Sequence, residues 1–269
     1  MSEPETEGGA ASNTHVKAVE TTFMIVEMLK EMGGGRVTEI ANQSDLSKGA
    51  VYKHLSTLRD LGYVVKRDNE YALGFQFLNY GGWLRSRYVG SALIKSQVRE
   101  LADNTGEVAS FATWEHERLI TLFRESGSRG VFSRTRLGRR MYLHQMAGGK
   151  AILSCLPTSE VRDIIDSTGL PAATAHTITD EDALLAELDT ISEQGYSVNE
   201  EESTEGLIAV AVPVVPDETV IGACSIAGPS HRMDEARVSE EIVDLLFNVV
   251  NELELNISHA RETTRFGTL

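Results

Sequence analysis

The sequence predicts an α+β protein in parts: an N-terminal winged helix-turn-helix over 14–75, a helical connector over 76–104, and a mixed α/β domain over 105–260. Three observations predict it. Residues 36–73 read in order as a short helix, a tight turn, a second helix and a hairpin. Residues 207–215 and 220–227 are near-continuous apolar runs around Pro216-Asp217-Glu218-Thr219, as expected of a hairpin inside a buried sheet. Between and around the strand candidates, apolar residues recur at helical spacing.

The first thirteen residues are small, polar and acidic, and are expected to form a disordered tail. A helix over 16–32 carries Val19, Phe23, Val26 and Leu29 at helical spacing, and Gly33-Gly34-Gly35 ends it. Val37, Ile40 and Ala41 share one face of the next, shorter helix. Asp45 and Leu46 make the turn, and Ser47 is placed to cap the following helix. There Val51, Leu55, Leu58 and Leu61 recur at steps of four, three and three, a single apolar stripe. Gly49, Tyr52, Lys53, Ser56 and Thr57 fall on the other side, with Lys48 at its flank. A buried scaffold helix has no use for that mixture. A recognition helix does: lysine and hydroxyl groups meet phosphates and base edges, tyrosine reaches phosphate or stacks, and glycine permits close approach. Gly62 stops the helix. Strands over 63–66 and 71–73 follow, joined by Arg67-Asp68-Asn69-Glu70, and Lys66 and Arg67 sit where a wing would touch phosphate. A plain helical bundle with solvated charges is the bland alternative; the hairpin and the polar outer face favour double-stranded DNA.

The connector reads as two helices, 75–88 (interrupted by Gly81-Gly82 and carrying Trp83) and 91–104. The second has Leu93, Ile94, Val98 and Leu101 on one stripe, either a dimer seam or a face packed within the chain. Strands are expected over 107–114 and 118–123, then a polar segment over 124–135. Residues 139–143 lead into Gly148-Gly149-Lys150 and a helix ending near 156. Further helices fit 159–167 and 180–194, and a last one 234–257 with Val238, Ile242, Leu245, Leu246, Val249 and Leu253 inward, before a tail at 261–269. The result is an antiparallel sheet with helical cover, a design suited to sensing a small ligand.

Composition excludes several functions. No run of about eighteen apolar residues and no signal-peptide pattern exists, so the expectation is a cytoplasmic protein with no membrane partner. Two cysteines, Cys155 and Cys224, make no framework and fit a reducing compartment. No Cys-x-x-Cys or His-Glu-x-x-His spacing calls for a metal, no cofactor motif stands out, and no nucleophile–base–acid set suggests catalysis. Gly148-Gly149-Lys150 is not a P-loop, since His144 stands where glycine is needed and Ala151 replaces the hydroxyl that holds magnesium. Glu200-Glu201-Glu202 reads as a solvated charge run, and Arg129, Arg134, Arg136, Arg139 and Arg140 as a solvated, mobile loop in preference to a site for an anion or a partner subunit. The net charge is −15, yet residues 14–75 hold eight Lys or Arg and eight Asp or Glu, so the acid excess lies outside the reading head. Few lysines and an acid surplus suggest adaptation to high internal salt, where the Debye length falls to about 3 Å at 1 M and repulsion of DNA is screened.

From Lys17 to Ile257 the chain resembles the IclR family of transcription regulators. The resemblance is carried by Ser47-Lys48-Gly49-Ala50-Val51-Tyr52-Lys53-His54-Leu55, Gly62-Tyr63-Val64, Tyr71-Ala72-Leu73-Gly74 and Leu137-Gly138-Arg139-Arg140-Met141-Tyr142-Leu143-His144. Gly149-Lys150-Ala151-Ile152-Leu153, residues 195–202, Gly206, Ala209, Pro213, Gly222, residues 225–229 and Arg232 continue it. It implies a GAF-like effector domain, homodimers that pair into homotetramers, and control of catabolic genes, sugar or sugar-acid degradation among them, by a small metabolite. It also implies an effector pocket between Ala147-Gly148-Gly149 and the central strands, with Asn199, Ala209, Ser225 and Ala227 on the strand side. A glycine-rich turn into a helix offers backbone amides to a carboxylate, and Ser225 adds a hydroxyl. Asn199 stands where many members carry Asp, and Ala209 and Ala227 where some carry Cys and Ser, which leaves fewer polar anchors. The expected protein is a repressor or activator reading a palindromic operator, tuned by a carboxylate or sugar-derived effector. The alternatives are an architectural DNA binder without an effector, or a metabolite-binding protein or enzyme with a vestigial DNA head.

Overall fold

A computed structural model describes residues 15–130 and 136–266, with side chains through residue 260. The tail expected at 1–13, Arg134 and residues 267–269 lie outside the described residues. The chain divides into two compact units between Trp83 and Leu84.

The first unit runs through α1 (Lys17–Met32), α2 (Val37–Asn42), α3 (Lys48–Asp60), β1 (Val64–Arg67) and β2 (Glu70–Leu73), and into α4 (Gln76–Ser86). Its core is Ile25, Val26, Leu29, Ile40, Val51, Leu55, Leu58, Val64 and Tyr71. Only the C-terminal half of α1 meets that core, so Val19 and Phe23, expected inward, are exposed. Leu61 is also exposed, because α3 ends one residue earlier at Asp60. Gly62 takes φ +81°, and the amides of Gly62 and Tyr63 return to the carbonyls of Arg59 and Leu58, closing the helix end. β1 and β2 pair antiparallel from Val64 opposite Leu73 to Arg67 opposite Glu70, and Gly35 bridges Tyr71 as a short third strand.

The second unit comprises α5 (Ser91–Thr105), β3 (Val108–Glu115), β4 (Arg118–Ser126), β5 (Arg140–Met141), α6 (Ala147–Leu153), α7 (Thr158–Thr168), α8 (Glu181–Gln194), β6 (Ser197–Glu200), β7 (Leu207–Val214) and β8 (Gly222–Pro229). After them come α9 (Glu235–Arg237), a π-helical turn over Val238–Ile242, and α10 (Val243–Phe266). Among the described residues the strands form one six-stranded antiparallel sheet in the order β5-β4-β3-β8-β7-β6. The hairpin of β7 and β8 sits inside it, as the apolar runs required.

Period-two alternation sorts the sheet into unlike faces. One face presents Phe111, Val210, Val212, Cys224 and Ile226 to Ile94, Val98 and Leu101 of α5 and Leu246, Val250 and Leu253 of α10. The other presents small residues, among them Ala112, Ala211 and Ala223, beneath α6 and the helices behind it. α5 thus packs as a layer of this unit, with Ile94, Val98 and Leu101 of its expected stripe buried within the chain and Leu93 alone exposed. Large exposed apolar residues lie instead at Phe75, Leu78, Trp83 and Leu84, on or beside α4. The final helix is broken into three pieces and continues to Phe266, past the expected start of a tail at 261.

Candidate nucleic-acid interface and effector cavity

The candidate recognition surface is built on α3. Ser47 is its N-cap, with Oγ accepting the Ala50 amide at 3.2 Å. Val51, Leu55 and Leu58 anchor the helix, which leaves Lys48, Gly49, Tyr52, Lys53 and Thr57 exposed. Thr57 Oγ1 donates back to the Lys53 carbonyl at 3.0 Å. Ser56 departs from expectation: it is half-buried, and its hydroxyl oxygen is sealed from solvent with no hydrogen-bond partner. At the shoulder of the stripe it faces the protein, not the groove. A second tether fixes the helix azimuth, since Thr22 Oγ1 lies 2.8 Å from His54 Nδ1 while donating to the Ala18 carbonyl at 2.7 Å. A hydroxyl has one proton, so His54 Nδ1 is the donor of that pair.

The wing carries Lys66 and Arg67 on its exposed edge, with Asp68 at φ +53° turning the loop. The Lys66 ammonium lies 5.4 Å from the centre of the Tyr71 ring. Arg36 and Arg59 are neutralised by Glu70 and Asp60. Among the described residues Lys48, Lys53, Lys66 and Arg67 enter no ion pair, which leaves four cations of this unit available to phosphate.

The second unit holds a cavity of about 290 Å³ between the small-residue face of the sheet and the entry to α6. Ala147, Gly148, Asn199, Ala209, Ser225 and Ala227 all line it. Gly149 does not: a Cβ there would stand 2.1 Å from the Leu143 carbonyl, so this glycine serves close packing. The strand register explains the floor. Asn199, Ala209, Ala227 and Val108 are successive cross-strand partners in one row, and Ser225, Ser110 and Arg124 in the next. Ser110 and Ser225 hydroxyls are 2.8 Å apart. Asn199 is held at both ends of its amide, donating to the Gln145 carbonyl at 2.7 Å and accepting the Ser203 amide at 3.4 Å, and forms part of the cavity wall. Arg124, Arg139 and Arg140 also line the cavity, the last two expected as a solvated loop in preference to an anion or subunit site, and no carboxylate is among the described lining residues.

Two buried ion clusters escaped the sequence reading. Glu202, expected in a solvated run, is buried with Oε1 2.7 Å from the Lys150 ammonium, which also meets Glu187 at 2.8 Å. Glu201 takes φ +61° beside it, which turns Glu202 inward. The Glu202 carbonyl accepts from Thr177 at 2.6 Å, tying two loops together beside the cavity. Burial raises the Glu202 pKa against the pull of Lys150. Glu107, with no exposed surface, is gripped by Arg232 at 2.6 Å and Arg237 at 3.0 Å. Burial pushes its pKa up, and the hydrogen bonds from the two arginines outweigh that and hold it below the ordinary value. The signal for both clusters was present but unpaired in sequence: a lysine between apolar helix residues, and a glutamate opening a strand.

Burial raises the Cys224 thiol to about 12 and lowers the pKa of His144, which is held against the Pro171 carbonyl. Among the described residues no cluster of His, Cys, Asp or Glu is arranged to hold a metal ion, and no helix is long and apolar enough to cross a membrane.

Comparison with known proteins agrees with this architecture. Residues 18–68 match the IclR helix-turn-helix domain, and residues 91–255 match the bacterial transcriptional regulator IclR C-terminal domain. The HTH-type transcriptional regulator KdgR of Escherichia coli is 32% identical over 237 residues, covering 86% of this chain and 89% of that one. The probable HTH-type transcriptional regulator ArcR of Halobacterium salinarum is 28% identical over 250 residues, covering 91% and 95%. The crystal structure of Thermotoga maritima IclR superposes with a TM-score of 0.77 at 26% identity, covering 91% of this chain and all of that one. Both units, their order and nearly their whole length are accounted for, and the chain belongs to the IclR family of DNA-binding transcription regulators.

Proposed function

We propose that this regulator binds a palindromic operator as a homodimer or pair of dimers, in the cytoplasm, and that a small anionic metabolite in the cavity of the second unit sets its affinity for DNA. The observation that supports the reading is the cavity: six of the seven residues expected around an effector line one concave space in the second unit. A solved inducer-binding domain of the family, from Acinetobacter PobR, holds 3-hydroxybenzoic acid, at 27% identity and a TM-score of 0.57. The arginine-lined cavity here suits an acid too, and sugar-acid catabolism is the regulon this reading favours. Effector binding shifts the population between two arrangements of paired subunits, and so the spacing of their recognition helices. Activation and repression use the same parts.

Lys48, Gly49, Tyr52 and Lys53 of α3, with Lys66 and Arg67 of the wing, carry the DNA contacts. Two half-sites about 34 Å apart, or a multiple of that, match such a dimer. Footprinting on the region upstream of the protein's own gene tests this, with Lys53→Glu as the control. The substitution reverses an exposed charge, leaves the core untouched and should abolish specific protection. Protection that survives it would show that another face reads the groove.

A further inference from the structure

We infer that His54 is a positioning residue for sequence readout. Its hydrogen bond to Thr22 of α1 sets the rotation of α3 about its own axis, and with it the base edges that the groove-facing side chains meet. The inference rests on the reading of α3 as the recognition helix and deepens it. Val51, Leu55 and Leu58 seat α3 on the core of the first unit. Apolar contacts are non-directional, so they hold a helix down more firmly than they keep it from turning. Three other side-chain hydrogen bonds of α3 stay within the helix and its cap. Ser47 accepts from the Ala50 amide, Thr57 donates to the Lys53 carbonyl, and Arg59 donates to Asp60. Among the described residues, the bond between His54 and Thr22 is the one that ties an α3 side chain to another helix.

That bond is anchored at both ends. His54 is half-buried at the edge of the apolar stripe, one turn from both Val51 and Leu58. Its Nδ1 lies 2.8 Å from Thr22 Oγ1, and that hydroxyl directs its single proton to the Ala18 carbonyl at 2.7 Å. The ring therefore carries a proton on Nδ1, and the chain of two hydrogen bonds ends on the backbone of α1. A leucine at 54 against a valine at 22 would join the same helices with more apolar area. The polar pair adds direction, as satisfied polar contacts in a packed setting do. Its leverage is large. His54 follows Lys53 at about 100° around the helix, and side chains reach roughly 5–6 Å from the axis. A turn of about 20° moves such a tip by about 2 Å, well outside the window of about 0.5 Å that a hydrogen bond to a base edge tolerates. Contacts of long, flexible cations with phosphate absorb that shift, so the tether governs specificity more than general affinity.

The test compares two duplexes of equal length at fixed salt, using the full-length protein. One is a sequence selected by wild type from a random library, and the other is its shuffled counterpart. His54→Leu should keep the thermal midpoint and the affinity for the shuffled duplex near wild type, and lower the ratio of specific to non-specific affinity about tenfold or more. Thr22→Val, which removes only the hydroxyl, should do the same, and it keeps the test informative if His54→Leu unfolds. The double variant should lose no more than either single one. His54→Asn, whose amide nitrogen can stand in for Nδ1, should restore most of the ratio. Nitrogen-15 spectra of the neutral ring should show its proton on Nδ1, the tautomer that a free histidine side chain populates less. A ratio unchanged in folded His54→Leu and Thr22→Val, a parallel fall in both affinities, or a proton on Nε2 would each overturn the inference. Loss of binding in Lys53→Glu beside an unchanged ratio in His54→Leu would overturn it and leave α3 as the recognition helix. A wild type that enriches no sequence, or a Lys53→Glu variant that binds as wild type does, would remove the recognition-helix reading and this inference with it.

Discussion

Glu107 shows how much one side chain settles. It opens β3 and joins Arg232, just after β8, to Arg237 of α9, whose guanidinium also donates to the Thr105 carbonyl at 3.0 Å. Glu107→Gln leaves Arg232 short of a counter-charge and Arg237 with Glu241 alone, and should cost about 3 kcal/mol, the low end for a broken buried pair, because both arginines keep some contact with solvent. The pH dependence has a fixed sign. The folded-state pKa lies below the ordinary value of 4.5, so the stabilisation is complete above that value and is lost as pH falls through the folded-state pKa. Chemical denaturation from pH 7 downward should therefore show wild type and variant converging below about pH 4.5; a constant gap would mean that the carboxylate's charge is not what stabilises. The Ser47 cap, the Gly62 stop and the small residues of the cavity floor were legible in the sequence because their roles are local. Glu107, Arg232, Lys150 and Glu202 were not, because each owes its state to a partner dozens of residues away, and a lone charge in a string always reads as solvated.

At the scale of elements, the sheet and its cavity come from one choice repeated on three strands. β3, β7 and β8 put large residues on the face toward α5 and α10 and mostly small ones on the other, among them Ser110, Ala112, Ala209, Ala211, Ala223, Ser225 and Ala227, with Val108 and Leu207 also lining the cavity. The two runs at 207–215 and 220–227 were recognised as buried strands, yet their large-small alternation carries the position of the cavity too. Filling that space is the direct test. Ala209→Leu points three more carbons into an open volume, so it should leave the thermal midpoint within a few degrees of wild type. It should also leave operator affinity near normal and lose most of the response to effector in a gel-shift titration. A large fall in stability would mean that the space is smaller than the structure indicates; a full response would place the effector elsewhere. α5 was harder to assign from sequence, since an amphipathic helix shows that it buries a stripe but not against what. The same limit applied to α1, where Val19 and Phe23 continue the spacing of the buried residues but extend past the core that could cover them.

At the scale of the molecule, charge is distributed unevenly by function. The reading head is balanced, and the whole excess of fifteen negative charges lies outside 14–75. Within the head, Arg36 and Arg59 pair with Glu70 and Asp60, and among the described residues Lys48, Lys53, Lys66 and Arg67 enter no ion pair, so a formally neutral unit still places four cations on α3 and the wing. The rest of the chain repels itself, and such repulsion weakens as the Debye length shrinks from about 10 Å at 0.1 M to about 3 Å at 1 M. Relief of about 2 kcal/mol would raise the midpoint of a chain this size by roughly 4–8 °C. Thermal unfolding in potassium chloride from 0.1 M to 2 M should show that rise, and with four phosphate-seeking cations per subunit the DNA affinity should fall with a slope of about −3.6 per subunit in log–log form. A midpoint that peaks at low salt would mean instead that the buried pairs at Glu107 and Lys150, and not surface repulsion, dominate the electrostatics of folding.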